Sequence, residues 1–467
     1  MSRRSFIIAV ILACFSLSCG RQNSSLLGTM IVPAPMLMDN DITVGCETLD
    51  RDYADYDSYK EWLSVLGIRK IRLQAGWAKT ERVKGVYDFA WLDSIIDDAV
   101  SRGLEPWLQT SYGNPIYAGG GTPFLKGGWP ESEEALDAWH RWVAAMASRY
   151  KGKVCEWEIW NEPDLNTAFR RDPESFVDFT LETARTIRSI DPEAKIATFA
   201  WAGWRPALFR RCMSRIAEQD GMGLIDWITY HYYTYRPEDM YTKVTEMQDS
   251  LSLWSSSIKL RQGETGAPSK GYCGGALDNW PWDEVSQAKW DLRRMLSDKA
   301  RNIPTTVFSI SDMNYGASDA IVKVNVKGLL ETDSENRVVR PKEAFWAVRN
   351  LVALWNVLGE SVPCSAEVTV PGSWSLYSFR AKDGGLSYAL WEESTVPSGS
   401  ADMSLVTLKV PQGCVSHPVA VDVRTGEVHS VGRSVAPDGS VLLELPAYDS
   451  PVLIVPKKKL HYRHSKI

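Results

Sequence analysis

Only six His occur in the 467 residues, they are scattered, and no HExxH pair is among them. A zinc site of that kind needs two imidazoles one helical turn apart, so a zinc hydrolase is set aside and neither metal nor cofactor is expected. Cysteine is sparse too, at eight residues, with no CxxC spacing. Beyond Cys14 and Cys19, the remaining Cys46, Cys155, Cys212, Cys273, Cys364 and Cys414 lie far apart. They give no metal-ligand pattern; their disulfide pairing stays open, and buried free thiols are expected for most. No glycine-rich phosphate or dinucleotide fingerprint follows any strand-like run. An excess of positive charge is also lacking: 52 Lys and Arg against 58 Asp and Glu leave a net charge of −6. A nucleic-acid partner, which needs a basic face, is therefore not expected.

Long apolar runs are missing except for Phe6–Leu17, which is too short to span a bilayer as a mature helix. Arg3 and Arg4 precede it, and Ser18, Cys19 and Gly20 follow. Residues 1–19 thus read as a signal peptide. Cys19 resembles the acylated cysteine of a lipoprotein cleavage box, with Ser16 departing from the usual aliphatic residue, and the Arg pair resembles a twin-arginine export signal. The expectation is export to the periplasm or cell surface, with Cys19 as a lipid anchor to a membrane. An ordinary signal peptide with an incidental cysteine is the alternative.

Aromatics are plentiful, with 20 Trp and 18 Tyr. Half or more should be core, but these rings also have flat apolar faces with a polar edge, suited to stacking on sugars. From residue 40 to 358, short β-type runs alternate with helix-period segments. Eight strands are expected at Thr43–Glu47, Lys70–Gln74, Glu105–Thr110, Val154–Trp160, Lys195–Ala200, Asp226–Tyr230, Ile258–Gln262 and Thr305–Ile310, with Pro341–Leu358 as an eighth helix. That series predicts an α/β fold, a (β/α)8 TIM barrel over 40–358. Short runs about ten residues apart then predict a β-sandwich over 359–458, followed by a solvated basic tail, 459–467.

Barrel active sites form where strands end. Strand four runs into Trp157-Glu158-Ile159-Trp160-Asn161-Glu162-Pro163, and strand seven into Gln262-Gly263-Glu264-Thr265-Gly266. Two carboxylates at one end of strands four and seven face each other across the barrel mouth. Cleaving an acetal with retention needs that pair: one group protonates the leaving oxygen while the other attacks the anomeric carbon. Arg72, ending strand two, is placed to hold Glu264 ionised, or else to pair with Glu158. Glu162 must begin protonated, through a partly apolar setting and repulsion from Glu264.

With Arg72 and Trp77, Gly85-Val86-Tyr87-Asp88-Phe89, Tyr112-Gly113-Asn114-Pro115 and both glutamate motifs, the chain resembles clan A glycoside hydrolases, and most of all family 39 with its β-xylosidases and α-iduronidases. The resemblance implies Glu162 as acid/base and Glu264 as nucleophile. It also implies Asn161 on the sugar 2-hydroxyl, His231 and Tyr233 near the nucleophile, and a carbohydrate substrate. Trp77, Tyr112, Asn114, Trp280 and Trp282 complete the expected substrate-binding set. An exo-acting, β-xylosidase-like retaining hydrolase comes first. An endo-β-glucanase or mannanase, or a silent glycan-binding surface lipoprotein, are the alternatives. Sugar, linkage and oligomeric state are left open.

Overall fold

The computed structural model describes residues 25–33, 37–315 and 324–464, so the expected signal peptide and Cys19 lie outside the described residues. Eight parallel strands form the barrel wall: β1 (Thr43–Gly45), β2 (Lys70–Gln74), β3 (Glu105–Thr110), β4 (Glu156–Ile159), β5 (Lys195–Trp201), β6 (Trp227–Tyr230), β7 (Lys259–Gln262) and β8 (Thr306–Val307). They pair in sequence order from β1 to β7, with β8 against β1. A parallel bridge between Thr265 and Val307 closes the ring beyond the end of β7.

The helices around it follow from apolar spacing and caps. In Glu133–Tyr150, Ala135, Ala138, Trp139, Trp142, Val143, Met146, Ala147 and Tyr150 are buried, a three-and-four periodicity that turns one face to the strands. Ser132 starts this helix by accepting from the Ala135 N–H at 3.2 Å. Pro173–Ile190 begins on Asp172, which accepts from the Ser175 N–H at 3.1 Å, with Pro173 in the first turn.

Behind the barrel, eight antiparallel strands form one sheet and four form another. Tyr388, Leu390 and Ile454 from the first pack with Val406, Leu408, Leu443 and Leu445 from the second in one apolar core. Burial alternates residue by residue along Val441–Ala447, the period of a strand with one covered face. The buried Lys289–Asp449 pair at 2.6 Å and the Trp391 indole donating to Glu238 at 2.8 Å tie the sandwich to the barrel.

Four expectations need correcting. The last helix starts at Glu343, not Pro341, because Pro341 ends the strand Val338–Pro341 that pairs with Leu330–Thr332. The segment 459–467 is not simply a solvated tail: Tyr462–His464 adds a strand beside Leu26–Met30, whose unpaired edge it covers. Leu26–Met30 was not foreseen as a strand; it pairs with Glu427–Ser430 in the C-terminal sheet. Among the described cysteines, all free, only Cys46 and Cys212 are buried.

Candidate active site

The alternation of a strand sends Arg72 and Gln74 of β2, Gln109 of β3 and Glu158 of β4 into the barrel. Register sets Gln74 beside Gln109 and Gln109 beside Glu158. The side chains link accordingly: Gln74 Nε2 donates to Gln109 Oε1 at 3.0 Å, and Gln109 Nε2 to Glu158 Oε2 at 2.7 Å. Arg72 sits at the centre with no solvent exposure. It donates to Glu158 Oε2 from Nε at 2.9 Å and from Nη2 at 2.7 Å, to Asn161 Oδ1 at 2.9 Å, to Glu47 Oε1 at 2.8 Å and to Glu264 Oε2 at 3.2 Å. The two expected roles of Arg72, partner to Glu158 and partner to Glu264, are both present.

Beyond β4 the backbone leaves the strand abruptly. Trp160 and Glu162 both adopt left-handed conformations, with φ of 65° and 47°. Such positions in non-glycine residues cost about 1–3 kcal/mol each and persist where surrounding structure holds them. Here the Trp160 N–H is held by the Thr110 carbonyl at 3.2 Å, and its ring packs edge-on against Tyr112. Asn161 spans the gap, accepting from Arg72 and donating to the Tyr112 hydroxyl at 2.8 Å. On the opposite wall, Gly263 precedes Glu264 where a Cβ would come 2.0 Å from Thr229 Cγ2, so the chain can pass β6 closely only with glycine.

Glu162, His231 and Glu264 each offer an atom within 4.8 Å of the others. His231 Nδ1 lies 3.0 Å from Glu162 Oε1 and 3.6 Å from Glu264 Oε2. The Tyr233 hydroxyl donates to Glu264 Oε1 at 2.8 Å. Both oxygens of Glu264 are thus fixed, one by Arg72 and one by Tyr233. By donor type the trio could ligate a small cation, but the Arg72 guanidinium on Glu264 disfavours a second positive charge there.

The two carboxyls sit in unlike surroundings. Burial pushes the Glu162 pKa up to about 8, with repulsion from Asp164 adding to it and Arg72 and Lys126 opposing. Asp164 is buried behind it, accepting from the Ala202 N–H at 2.9 Å and the Gly203 N–H at 3.1 Å. Burial holds His231 below its usual value, so the ring is neutral at pH 7. Glu47, after β1, is raised by burial to about 7 against the pull of Arg72.

A cavity of about 410 Å3 opens over these groups. Of the expected set, Glu162, Glu264, Asn161, Tyr112 and Tyr233 line it. Arg72 and His231 lie beneath, touching the lining glutamates. Four expected contacts lie elsewhere. Trp77 is fully buried, donating to Glu81 Oε2 at 2.6 Å and stacked on Tyr117 at 5.5 Å. The Asn114 side chain donates to the Glu81 carbonyl at 2.7 Å, so it braces the same loop. Trp282 donates to the Leu277 carbonyl at 2.6 Å and packs, with Trp280, against Ala267, Trp290 and Tyr233. These two rings support the strand-seven loop and Tyr233 and offer no face to the cavity. Sequence reasoning missed Glu47, Phe308 and Lys327, all in the lining. Glu47 and Phe308, next to the ends of β1 and β8, were findable by the strand-end rule. Lys327 carries no such signal.

The family model "Glycosyl hydrolases family 39" matches residues 43–259, which hold barrel strands β1 to β6 and the Asn161-Glu162 motif. Over those residues the chain is similar to glycoside hydrolase family 39. Similar curated proteins are a beta-xylosidase of Caldicellulosiruptor saccharolyticus, 28% identical over 213 residues covering 41% of this chain and 42% of that protein, and a beta-xylosidase of Geobacillus stearothermophilus, 25% identical over 32% of each chain. The chain thus spans less than half the length of the curated relatives it matches. Among solved structures, a family 39 glycoside hydrolase from Bacteroides cellulosilyticus WH2 superposes with a TM-score of 0.66 at 18% identity, over 91% of this chain and 83% of that one. A monomeric beta-xylosidase from Caulobacter crescentus CB15 gives 0.58 at 15% identity, over 92% and 98%. These two likenesses show a shared fold. The family 39 match stops five residues before Glu264, so the second carboxylate is placed by geometry alone.

Proposed function

We propose that this chain is an exo-acting retaining β-glycosidase of the β-xylosidase kind, with Glu162 as acid/base and Glu264 as nucleophile. The observation that carries the reading is the approach of a Glu162 oxygen and a Glu264 oxygen to within 4.8 Å. Retention needs carboxyl groups about 5–5.5 Å apart, whereas inversion leaves about 6.5–9.5 Å for a water between them. Protonation states fit the roles. Glu162, raised to about 8, holds a proton at pH 7, while Arg72 and Tyr233 both stabilise a charged Glu264.

A neutral His231 with its proton on Nδ1 donates to Glu162 Oε1. The acid's own proton then sits on Oε2, which has no protein partner among the described residues and is free for the leaving oxygen. Attack by Glu264 forms a glycosyl ester and removes its charge. The Glu162 pKa then falls, and the same group accepts a proton from water in the second step. A cavity of about 410 Å3 is the size of a small-ligand site, which favours chain-end action over a long groove. The relatives named beta-xylosidase make an aryl β-xyloside the first substrate to try. The proposal includes export and acylation at Cys19, which rest on sequence alone; among the described residues no helix is long and apolar enough to cross a membrane.

Proton NMR during hydrolysis of 4-nitrophenyl β-xyloside tests this reading. The β-anomer of the free sugar is expected to appear first and to mutarotate later. First appearance of the α-anomer would mean single displacement and would remove Glu264 from the nucleophile's role.

A further inference from the structure

In the helix Glu284–Lys299, which follows the strand-seven loop, every residue from Ser286 to Asp298 is buried, yet Lys289, Asp291, Arg293, Arg294 and Asp298 are among them. A helix covered on all sides is normally apolar, and buried charge needs partners. The sandwich supplies several. Lys289 Nζ meets Asp449 Oδ1 at 2.6 Å, the Ser398 carbonyl at 2.9 Å and the Ser400 carbonyl. One turn on, Arg293 donates to the Thr395 carbonyl at 3.3 Å and to the two oxygens of Glu238 at 2.8 and 2.6 Å. A Cβ on Gly399 would come 2.0 Å from Oδ2 of Asp283, the residue that caps this helix, so the sandwich segment 393–400 lies directly on it.

Trp290, fully buried in the same helix, reaches the strand-six loop instead. Its indole N–H is shared between the Thr234 carbonyl at 3.0 Å and the Tyr235 carbonyl at 3.1 Å. That loop bears Tyr233, whose hydroxyl donates to Glu264 Oε1 at 2.8 Å, and it leaves β6 through a left-handed Tyr232 with φ of 56°. Backbone of this kind keeps its shape only where its surroundings hold it. Val396 of the sandwich packs into one apolar cluster with Trp290, Trp282 and Tyr233. Arg236, just after the loop, donates to the Glu393 carbonyl at 3.1 Å. A continuous set of contacts therefore runs from the sandwich, through Trp290, to the hydroxyl that fixes one oxygen of the nucleophile.

Resting on the glycosidase reading above, we propose that Trp290 is a positioning residue for the nucleophile, acting through Tyr233, and that the sandwich segment 393–400 holds it in place. The competing role is adhesion of the two domains alone. Trp290→Phe keeps an aromatic ring in the cluster and removes the N–H, and Tyr233→Phe removes the donor to Glu264, so the two changes form a cycle that reads their coupling. The full chain and the three variants are compared in kcat/KM on 4-nitrophenyl β-xyloside. Trp290→Phe is expected to lower it by at least about fivefold in the wild-type background and by less than about twofold in Tyr233→Phe, where the contact it serves is already gone. A smaller loss in the first background, or a larger one in the second, overturns the proposal; adhesion alone predicts the same factor in both. If Trp290→Phe does not fold, Val396→Ala takes its place in the cycle, with a loss of at least about twofold expected in the wild-type background only. If the wild type hydrolyses no xyloside, amide hydrogen exchange of the peptide spanning residues 231–236 decides. Faster exchange there in the variant, with the rest of the barrel unchanged, upholds the positioning while the hydrolase reading fails. Unchanged exchange in that peptide, or faster exchange throughout the barrel, overturns it.

Discussion

Glu264→Gln is expected to abolish turnover of every glycoside, whereas Glu162→Gln should fail selectively. Removing the acid/base withdraws a proton transfer worth about 10²–10⁴-fold. The loss should be full for alkyl glycosides and much smaller in the first step for nitrophenyl ones, whose leaving group needs no proton. Glu264 supplies the attacking atom rather than a proton transfer, so its loss should exceed that of Glu162 on both classes. A pH signature separates the two roles. In the wild type, kcat/KM should be full while Glu162 is protonated and should fall as pH rises through about 8. In Glu162→Gln that alkaline limb should vanish, because an amide does not titrate. Steady-state rates from pH 5 to 10 on both substrate classes check this, and an unchanged alkaline limb in Glu162→Gln would assign it to another group.

The second large effect is on stability. Arg72→Met is expected to destabilise the fold by about 3–5 kcal/mol, the range for removing one member of a buried ion pair. Arg72 is fully buried and answers Glu47, Glu158 and Glu264 together. Its removal leaves three carboxylates around an apolar side chain, and Asn161 loses the donor to its Oδ1. Urea unfolding followed by tryptophan fluorescence measures the change. Arg72→Lys should fall between the two, since an ammonium cannot reproduce the planar fork that reaches Glu158 through both Nε and Nη2. A loss below about 1 kcal/mol in Arg72→Met would mean that the carboxylates take up protons at little cost, and that the guanidinium serves catalysis alone.

The barrel was legible because its signals are local. Lys70–Gln74 and Glu105–Thr110 were bounded to the residue by their apolar runs. Both glutamates were visible because strand ends are where barrels act. What the sequence hid depends on packing between distant segments. Trp77 and Trp282 have the right chemistry for a sugar platform, but Glu81 and the Leu277 carbonyl take their indole N–H groups and turn them inward. Glu158 and Glu162 share strand parity, yet the left-handed turns at Trp160 and Glu162 place one in the buried network and the other at the cavity. No periodicity carries that. Lys327 lies beyond β8 among short hairpins, Met313–Asn314 with Val324–Asn325 and Leu330–Thr332 with Val338–Pro341, whose two- to four-residue strands are too brief to read. Tyr462–His464 looks like a charged tail until Leu26–Met30 supplies a partner more than 400 residues away.

The decisive measurement is covalent. The chain, incubated with 2-deoxy-2-fluoro-β-xylosyl fluoride, digested and mapped by mass spectrometry, should carry one fluorosugar ester on the peptide containing Glu264, and none in Glu264→Gln. An ester on Glu162, Glu47 or any other side chain, or turnover with no trapped species while Glu264→Gln stays active, would contradict the pairing of Glu162 and Glu264 around one anomeric carbon.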